Sequence, residues 1–348
     1  MPSLKNLAAD WLSRLQARGA KPASLRTFAS FLQNHINPLI GDLEVETFNG
    51  KQLKTFAGML LAKDGDEKLS PNTIRKIVNT VPLIIKSAED DDCNPLYSKT
   101  WNFKSILEMV PHEDAQQPTI TAKRLANALK FKGMHSDRYR IVIALLAGTG
   151  IRVGELLALR ASDDGEHSGW NQENSALEIR TSMWDGVEQL PKTKAAIRTV
   201  DLCEPVNAMV AAYTKNTNKK PGDRLFSTRT GTPYRPASLQ ELALDPLGVP
   251  GAHSLRRWRV THLRTAGCPD PLIKFWLGHA KPGGITALYD KSVDNDEWRQ
   301  QQANHLGIGF NLPVSPTPNR IEKMLAVNDA IPSTYVATDS DLPEVMFA

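Results

Sequence analysis

The sequence predicts a mainly helical α+β protein, with a helical bundle at its N-terminus followed by a mixed helical domain that contains a small antiparallel sheet. Apolar residues recur at helical spacing through most of the first 110 residues, and two β-like runs interrupt the helical patterns of the second half. The chain has 348 residues, more than a single hydrophobic core usually spans, so two domains are expected.

The N-terminal domain is predicted over residues 1–110. Its helical stripes run over residues 4–15, 24–36, 50–62 and 72–86. Ser70-Pro71 is typical of a helix N-cap followed by proline at the first helical position, whereas Asn37-Pro38 is typical of a turn. The segment therefore predicts four helices and no strand.

A linker is predicted over residues 111–120, because the stretch PHEDAQQPTI has no apolar periodicity and contains Pro111 and Pro118. The second domain is predicted over residues 121–305. Its pattern starts with helical stretches at 121–131 and 137–147, a glycine turn at Gly148-Thr149-Gly150, and a helix from Arg152 to about Arg160.

The β-like runs of the second domain, residues 176–183 and 197–202, predict a hairpin with a long cationic tip that includes Lys192 and Lys194. Helical patterns return at residues 254–265 and 271–277, and Gly278 is placed to end the second of them. Residues 306–348 form a proline-containing tail. Within it, Ile321, Met324, Leu325 and Val327 have the spacing of a short amphipathic helix.

Composition restricts the class of protein. Cys93, Cys203 and Cys268 are scattered and form no close pair, so neither a disulfide framework nor a zinc site is indicated. No apolar run approaches the roughly 20 residues that span a bilayer, and we expect a cytoplasmic protein without a membrane partner. Residues 119–305 carry 26 basic and 19 acidic side chains, an excess that suits a polyanionic partner.

Five motifs of the second domain are individually unremarkable but occur in an informative order. An isolated Arg152–Glu155 pair is usually a surface ion pair, and His253 with Arg256 an ordinary polar helix face. The motifs are GTGIRVGELLAL, PKTKAAIRTVDL, HSLRRWRVTHLRTAG, WLGHA and ITALYDK. In this order the chain resembles the tyrosine recombinases, also called phage-type integrases, over about residues 119–295.

The resemblance implies a fold of the DNA-breaking-rejoining type. Residues 1–110 would be a core-type DNA-binding domain and residues 121–305 the catalytic domain. The implied activity is site-specific recombination through a covalent 3′-phosphotyrosine and a Holliday junction, carried out by a homotetramer on two double-stranded recombination sites. In the family a C-terminal segment commonly docks on a neighbouring protomer, and residues 306–348 could do so or could pack on their own domain.

The candidate site residues suit this chemistry. Phosphodiester transesterification places negative charge on non-bridging oxygens, which guanidinium groups bind bidentately and at any physiological pH. Histidine can donate to a phosphate oxygen or take up a proton near neutral pH, and tyrosine needs cationic neighbours or a base because its ordinary pKa is near 10. The expected catalytic residues are Arg152, His253, Arg256, His279 and the nucleophile Tyr289, with Glu155 in support.

The general acid is expected on the hairpin, where Lys192 has the spacing that matches the family best and Lys194 is the alternative. A phosphotyrosine conserves bond energy, so neither a metal nor another cofactor is expected. Two rival functions remain open at this point: a type IB topoisomerase activity, and a non-catalytic DNA-binding regulator. The sequence leaves open the DNA site, the biological task and the role of accessory DNA-bending proteins.

Overall fold

The computed structural model describes residues 2–90, 92–112, 117–130, 136–191, 193–228, 231–279 and 291–312. The chain divides into two compact units, Met1–Gln116 and Gln117–Ala348. The boundary between them falls inside the stretch that the sequence predicts as a linker. Each unit is mainly helical and the second contains small antiparallel sheets, so the predicted fold class is confirmed.

The first unit is a helical bundle around an apolar core. Its helices are α1 (Leu4–Ala17), α2 (Pro22–Phe31), α3 (Asn37–Ile40), α4 (Gly50–Leu61), α5 (Pro71–Lys86) and α6 (Phe103–Ile106). The side chains of Ser3, Asn49 and Ser70 accept hydrogen bonds from backbone N–H groups in the first turns of α1, α4 and α5. These caps satisfy donors that would otherwise have no partner at the helix start. The four predicted helices are confirmed.

The turn predicted at Asn37-Pro38 is wrong. A π-helical turn, Leu32–Ile36, joins α2 to α3, and the backbone stays helical through Asn37. The Asn37 N–H donates to the carbonyl of Leu32, five residues earlier. Pro38 then falls in the first turn of α3, where proline is tolerated.

The second unit is built on α8, whose residues Ile143 to Ala147 are fully buried. Its helices are α7 (Ala122–Lys130), α8 (Ser136–Thr149), α9 (Val153–Ala158), α10 (Glu204–Asn216), α11 (Pro236–Leu239), α12 (Ala252–Thr265), α13 (Asp270–Leu277) and α14 (Asp296–Leu306). Helices α10 and α12 pack against α8. Since α12 begins with the HSLRR motif, this packing ties the motif to the core.

The predicted hairpin is present but its first strand is shorter than expected. Strands β1 (Gly169–Asn171), β2 (Ala176–Ile179) and β5 (Arg198–Asp201) form an antiparallel sheet in the order β1-β2-β5. Strands β3 (Ser182–Trp184) and β4 (Val187–Gln189) form a second, two-stranded sheet. The antiparallel pairing of the two predicted runs is therefore confirmed, while β1 was not predicted.

A single strand over residues 176–183 is wrong, because Ser168 interrupts it. The Ser168 hydroxyl oxygen accepts hydrogen bonds from the backbone N–H groups of both Arg180 and Thr181, each 2.8 Å long. These two N–H groups therefore do not bond to a neighbouring strand, and the strand pairing is interrupted between β2 and β3. The chain leaves the three-stranded sheet at this point and enters the second sheet.

The segment after α14 is fixed to α12. Arg259 Nη1 donates to the carbonyl of Gly307 at 2.6 Å, and His262 Nε2 lies 3.1 Å from the carbonyl of Leu306. Ile308 is buried beside Gly148, where an added Cβ would lie 3.0 Å from its side chain. The helix predicted around residues 321–327 lies outside the described residues. Within the described part of the chain, no helix is long and apolar enough to cross a membrane.

Candidate active site

Arg152 stands immediately before α9 and is tied to Glu155. The sequence predicted a helix beginning at Arg152, but this residue has extended backbone angles and caps the helix instead. Its backbone N–H donates to Glu155 Oε2 and its Nη1 donates to Glu155 Oε1, both at 2.8 Å. The Arg152 side chain is still 41% exposed, so the guanidinium is both oriented and open to a ligand.

Glu155 also holds a second arginine, Arg198 on β5. Arg198 Nη2 lies 2.9 Å from Glu155 Oε2 and Arg198 Nη1 lies 3.2 Å from Oε1. Both side chains are almost completely buried, at 1% and 2% exposure. Burial alone would raise the pKa of Glu155, but the hydrogen bonds and charges of Arg198 and Arg152 outweigh it and lower that pKa. Glu155 is therefore a carboxylate that orients two arginines.

Arg198 was not among the site residues that the sequence predicted. Its Nε donates to the carbonyl of Trp276 at 2.7 Å and its Nη1 to the carbonyl of Ala196 at 2.8 Å. It thus joins β5 to α13 beneath the site. An arginine among the apolar residues of a predicted strand was the available signal, because a buried charge needs partners.

Arg256, in the first turn of α12, is held by backbone carbonyls from two other segments. Its Nη1 donates to Gly150 at 2.6 Å and its Nη2 to Leu277 at 2.5 Å. Burial, followed by the charge of Arg152, lowers the pKa of Arg256 to about 10. It remains charged at neutral pH. Gly150 permits this close packing: its φ is +72°, and an added Cβ would lie 2.8 Å from Leu277.

His279 follows Gly278, which ends α13 with a φ of +63°, as the sequence predicts. His279 Nε2 lies 3.1 Å from Arg256 Nη2. A guanidinium can only donate, so Nε2 is the acceptor and the imidazole proton sits on Nδ1. Burial and the neighbouring charge of Arg256 lower the pKa of His279, in agreement with a neutral ring.

His253, one residue into α12, experiences the same positive field. Burial lowers its pKa first, and the charges of Arg256, Arg257 and Arg152 lower it further. Its side chain is nevertheless on the exposed side of the helix start. Both histidines are therefore neutral at pH 7 in the absence of a bound anion. Binding of an anion would raise the pKa of each histidine.

The structure brings together two hydrogen-bonded pairs, Arg152–Glu155 and Arg256–His279, which lie within electrostatic reach of each other. His253 lies within electrostatic reach of Arg152 and Arg256. Lys194 is exposed at the start of a 3₁₀ turn, Lys194–Ala196, that leads directly into β5. Lys192 and Tyr289 lie outside the described residues.

The group has the electrostatic character of an anion site. Three guanidinium groups, those of Arg152, Arg198 and Arg256, share hydrogen bonds or charge interactions with the Glu155 carboxylate, which leaves an excess of positive charge. Fixed guanidinium donors match the oxygens of a phosphate. Over the residues that the structure describes, no cluster of three or more histidine, cysteine or acidic side chains has the arrangement of a metal site.

Comparisons with known proteins give a consistent result. No protein-family model matches the chain. A protein of Caldanaerobacter subterraneus subsp. tengcongensis named tyrosine recombinase XerC-like is 23% identical over 323 residues, which cover 82% of this chain and 78% of that protein.

Two solved structures share the fold. The Tn1549 transposon integrase in complex with transposon right end DNA matches with a TM-score of 0.63 and 18% identity, over 86% of this chain and 99% of that one. A λ integrase tetramer bound to a Holliday junction matches with a TM-score of 0.57 and 14% identity, over 82% and 80%. The chain therefore has the fold of these integrases, and the resemblance to the tyrosine recombinases that its motifs indicate is confirmed.

Proposed function

We propose that this protein is a site-specific DNA recombinase that cuts and rejoins DNA through Tyr289. The observation that carries the proposal is the group of Arg152, Arg256, His253 and His279, which presents fixed donors and positive charge at one place. Such a group stabilises the negative charge that grows on the non-bridging oxygens when a phosphodiester is attacked. It is assembled from three separated segments of the chain: the residue before α9, the beginning of α12 and the residues after α13.

In the proposed reaction the Tyr289 oxygen gives its proton to a base, for which His253 is the candidate, and attacks the scissile phosphorus. A 3′-phosphotyrosine forms while the bond from phosphorus to the 5′ oxygen breaks. The 5′ oxygen leaves with a proton supplied by Lys192 or, alternatively, Lys194. A 5′ hydroxyl from a second DNA end then reverses these steps and reseals the strand. Because the phosphotyrosine retains the bond energy, the cycle needs no metal, nucleotide or other cofactor.

The two arginines have different parts in this scheme. Arg256 is fixed by backbone carbonyls and provides a stationary charge, whereas the Arg152 side chain is 41% exposed and can contact the DNA phosphate directly. Glu155 supports both roles indirectly, because it aligns Arg152 and compensates Arg198 beneath it. His279 carries its proton on Nδ1, which leaves that N–H available as a phosphate donor, and His253 can donate or accept.

The proposed partners are double-stranded recombination sites, on which four copies act on two duplexes through a Holliday junction. The λ integrase and Tn1549 integrase structures, which contain a Holliday junction and transposon DNA respectively, support this proposal. We further propose that residues 1–110 bind the core DNA site, that residues 111–120 link them to the catalytic domain at 121–305, and that residues 306–348 form a tail. Accessory DNA-bending proteins and a cytoplasmic, nucleoid-associated location belong to the same proposal.

The decisive experiment traps the covalent intermediate. A nicked half-site DNA releases its short 5′ end after cleavage and so prevents religation, leaving any protein–DNA adduct visible on a denaturing gel. The wild-type protein is expected to form the adduct, and Tyr289→Phe to bind the DNA without forming it. Tyr97→Phe, which removes a phenol from the first unit, is the matched control and should behave like the wild type. An adduct that persists in Tyr289→Phe would overturn the assignment of the nucleophile.

The general acid is identified with a substrate that carries a 5′-bridging sulfur at the scissile phosphate. A thiolate leaves without protonation, so this substrate should restore cleavage only to the variant that lacks the true acid. Rescue of Lys192→Ala but not Lys194→Ala would support Lys192, and the reverse would support Lys194. A topoisomerase IB activity predicts relaxation of supercoiled plasmids irrespective of sequence, whereas a recombinase should act only on plasmids that contain its site.

A further inference from the structure

Asp201, at the end of β5, joins two helices through a single oxygen atom. Its Oδ2 accepts a hydrogen bond from Trp276 Nε1 at 2.6 Å and another from Arg299 Nε at 2.9 Å. Trp276 belongs to α13 and Arg299 to α14, and all three side chains are buried. A buried carboxylate that receives donors from two helices holds them to the same point of the sheet.

The two helices flank the stretch of chain that contains Tyr289. Trp276 lies three residues before His279, and Arg299 lies ten residues after Tyr289. Arg299 also donates through Nη1 to the carbonyl of Val293 at 2.7 Å, only four residues beyond Tyr289. Asp201 therefore holds the described chain on both sides of residues 280–290. It binds Trp276 before this stretch directly, and it binds Arg299, which in turn holds Val293 after the stretch.

The same strand also positions the phosphate-binding side of the site. Arg198, three residues before Asp201 on β5, donates to the carbonyl of Trp276 and pairs with Glu155. Glu155 in turn aligns Arg152. Strand β5 thus binds the side chain of Trp276 through Asp201 and its backbone through Arg198. This one strand therefore sets the distance between Arg152, which would bind the phosphate, and the beginning of residues 280–290, which include Tyr289.

We propose that Asp201 is a positioning residue for the nucleophile, an inference that rests on the proposed recombinase function. In-line attack requires the tyrosine oxygen to approach phosphorus within a narrow range, and a displacement of about 1 Å can reduce a rate about 100-fold. Asp201 does not touch the DNA. It sets the spacing of the two ends between which Tyr289 lies. Together with Asp296, whose Oδ1 lies 2.8 Å from Arg299 Nη1, it compensates the buried guanidinium of Arg299.

The test compares Asp201→Asn and Trp276→Phe with the wild type in single-turnover cleavage of the nicked half-site. Asp201→Asn removes the charge but keeps the shape, and Trp276→Phe removes the N–H donor and part of the ring volume while retaining a buried aromatic ring. Asp163→Asn, which removes the charge from the 2.6 Å pair with Arg180 elsewhere in the same unit, is the matched control. The rate constant, the reaction amplitude and the affinity for DNA are measured separately.

We expect the rate constant of adduct formation to fall about 10- to 100-fold in Asp201→Asn and about threefold to tenfold in Trp276→Phe, with DNA affinity within twofold of the wild type. Asp163→Asn should cleave at the wild-type rate. A purely structural role would lower the amplitude, as a smaller folded fraction, and leave the rate constant unchanged. The 5′-bridging sulfur substrate should not rescue either variant, because the defect lies in attack and not in departure of the leaving group.

Wild-type rate constants in both variants, or rescue by the sulfur substrate, would overturn the inference while leaving the recombinase function intact. If the wild type itself forms no adduct, it is the proposed function that fails. Should Asp201→Asn not fold, Trp276→Phe decides alone, since it changes no charge and keeps an aromatic ring at this position. A Trp276→Phe rate constant equal to that of the wild type then counts against the role of Asp201.

Discussion

Replacing Glu155 by glutamine tests whether one buried carboxylate organises the site. In the wild type its two oxygens receive the Arg152 backbone N–H, the Arg152 guanidinium and two donors of Arg198. Glutamine keeps one accepting oxygen but replaces the other with an NH₂ group. This NH₂ group cannot accept a hydrogen bond from the arginine and backbone donors around it. Arg198 is then left with an uncompensated charge at a position that is 1% exposed.

The size of the effect follows from that burial. Removing one partner of a buried ion pair costs about 3–5 kcal/mol, and the remaining amide oxygen of glutamine places Glu155→Gln near the lower end, about 3 kcal/mol. For a domain of about 150–250 residues each kcal/mol shifts the unfolding temperature by about 2–4 °C, so a decrease of about 6–12 °C is expected. Cleavage of the half-site should slow about 100-fold because Arg152 loses its alignment.

The assay combines calorimetric unfolding with single-turnover cleavage. Glu188→Gln is the control, because Glu188 also joins two arginines, Arg160 and Arg224, but is more exposed and stands outside the site. It should lose only about 1–2 kcal/mol and cleave normally. The pKa of Glu155 is lowered in the folded chain, so its contribution is present at neutral pH and is lost as the pH falls through the folded-state pKa. An unfolding temperature of Glu155→Gln within 2 °C of the wild type at pH 7 would refute the reasoning.

Three further changes probe the site. Gly278→Ala should cost about 1–3 kcal/mol in thermal unfolding, because the φ of Gly278 is positive and the new Cβ would lie 2.9 Å from Arg198. Gly267→Ala is the control and should cost less, because Gly267 also has a positive φ but lies in open space. Equal losses of stability would argue against the contact with Arg198. Arg152→Lys keeps the charge but loses the planar fork, so half-site cleavage should fall about 100-fold while the DNA dissociation constant changes less than threefold; wild-type cleavage would count against bidentate binding. The pKa of His279 is lowered in the free protein, and a bound phosphate would raise it. DNA binding at pH 6.5 should therefore take up protons, which is measured as a binding heat that depends on the buffer. This dependence should be smaller in His279→Gln.

The helices and the order of the site motifs could be predicted because their signals are local. Apolar residues at helical spacing mark α1, α4 and α5, and the end of α13 is set by a glycine that adopts a positive φ. Arg152 and Glu155 are three residues apart, so their contact also follows from local geometry. The start of α9 was misjudged by only one residue, because Arg152 serves as its cap.

The features that escaped prediction depend on partners far away in the sequence. The break between β2 and β3 is caused by the hydroxyl of Ser168, twelve and thirteen residues before the N–H groups that it binds. Arg198 finds Glu155 43 residues away, and Asp201 finds Trp276 75 residues away. A strand pattern shows that such residues are enclosed, but their partners are determined by tertiary packing.

The attachment of residues 306–308 to α12 defines where the chain can be cut. Arg259 is buried and donates to the Gly307 carbonyl, and His262 lies at the Leu306 carbonyl. Truncation within this segment would remove the Gly307 carbonyl and leave the buried Arg259 guanidinium without this acceptor, which would lower the free energy of unfolding by several kcal/mol. Truncation after Leu312 preserves both contacts. A shortened protein ending at Leu312 thus keeps the attachment of residues 306–308 to α12, so a change in its unfolding temperature or cleavage rate measures the contribution of residues 313–348.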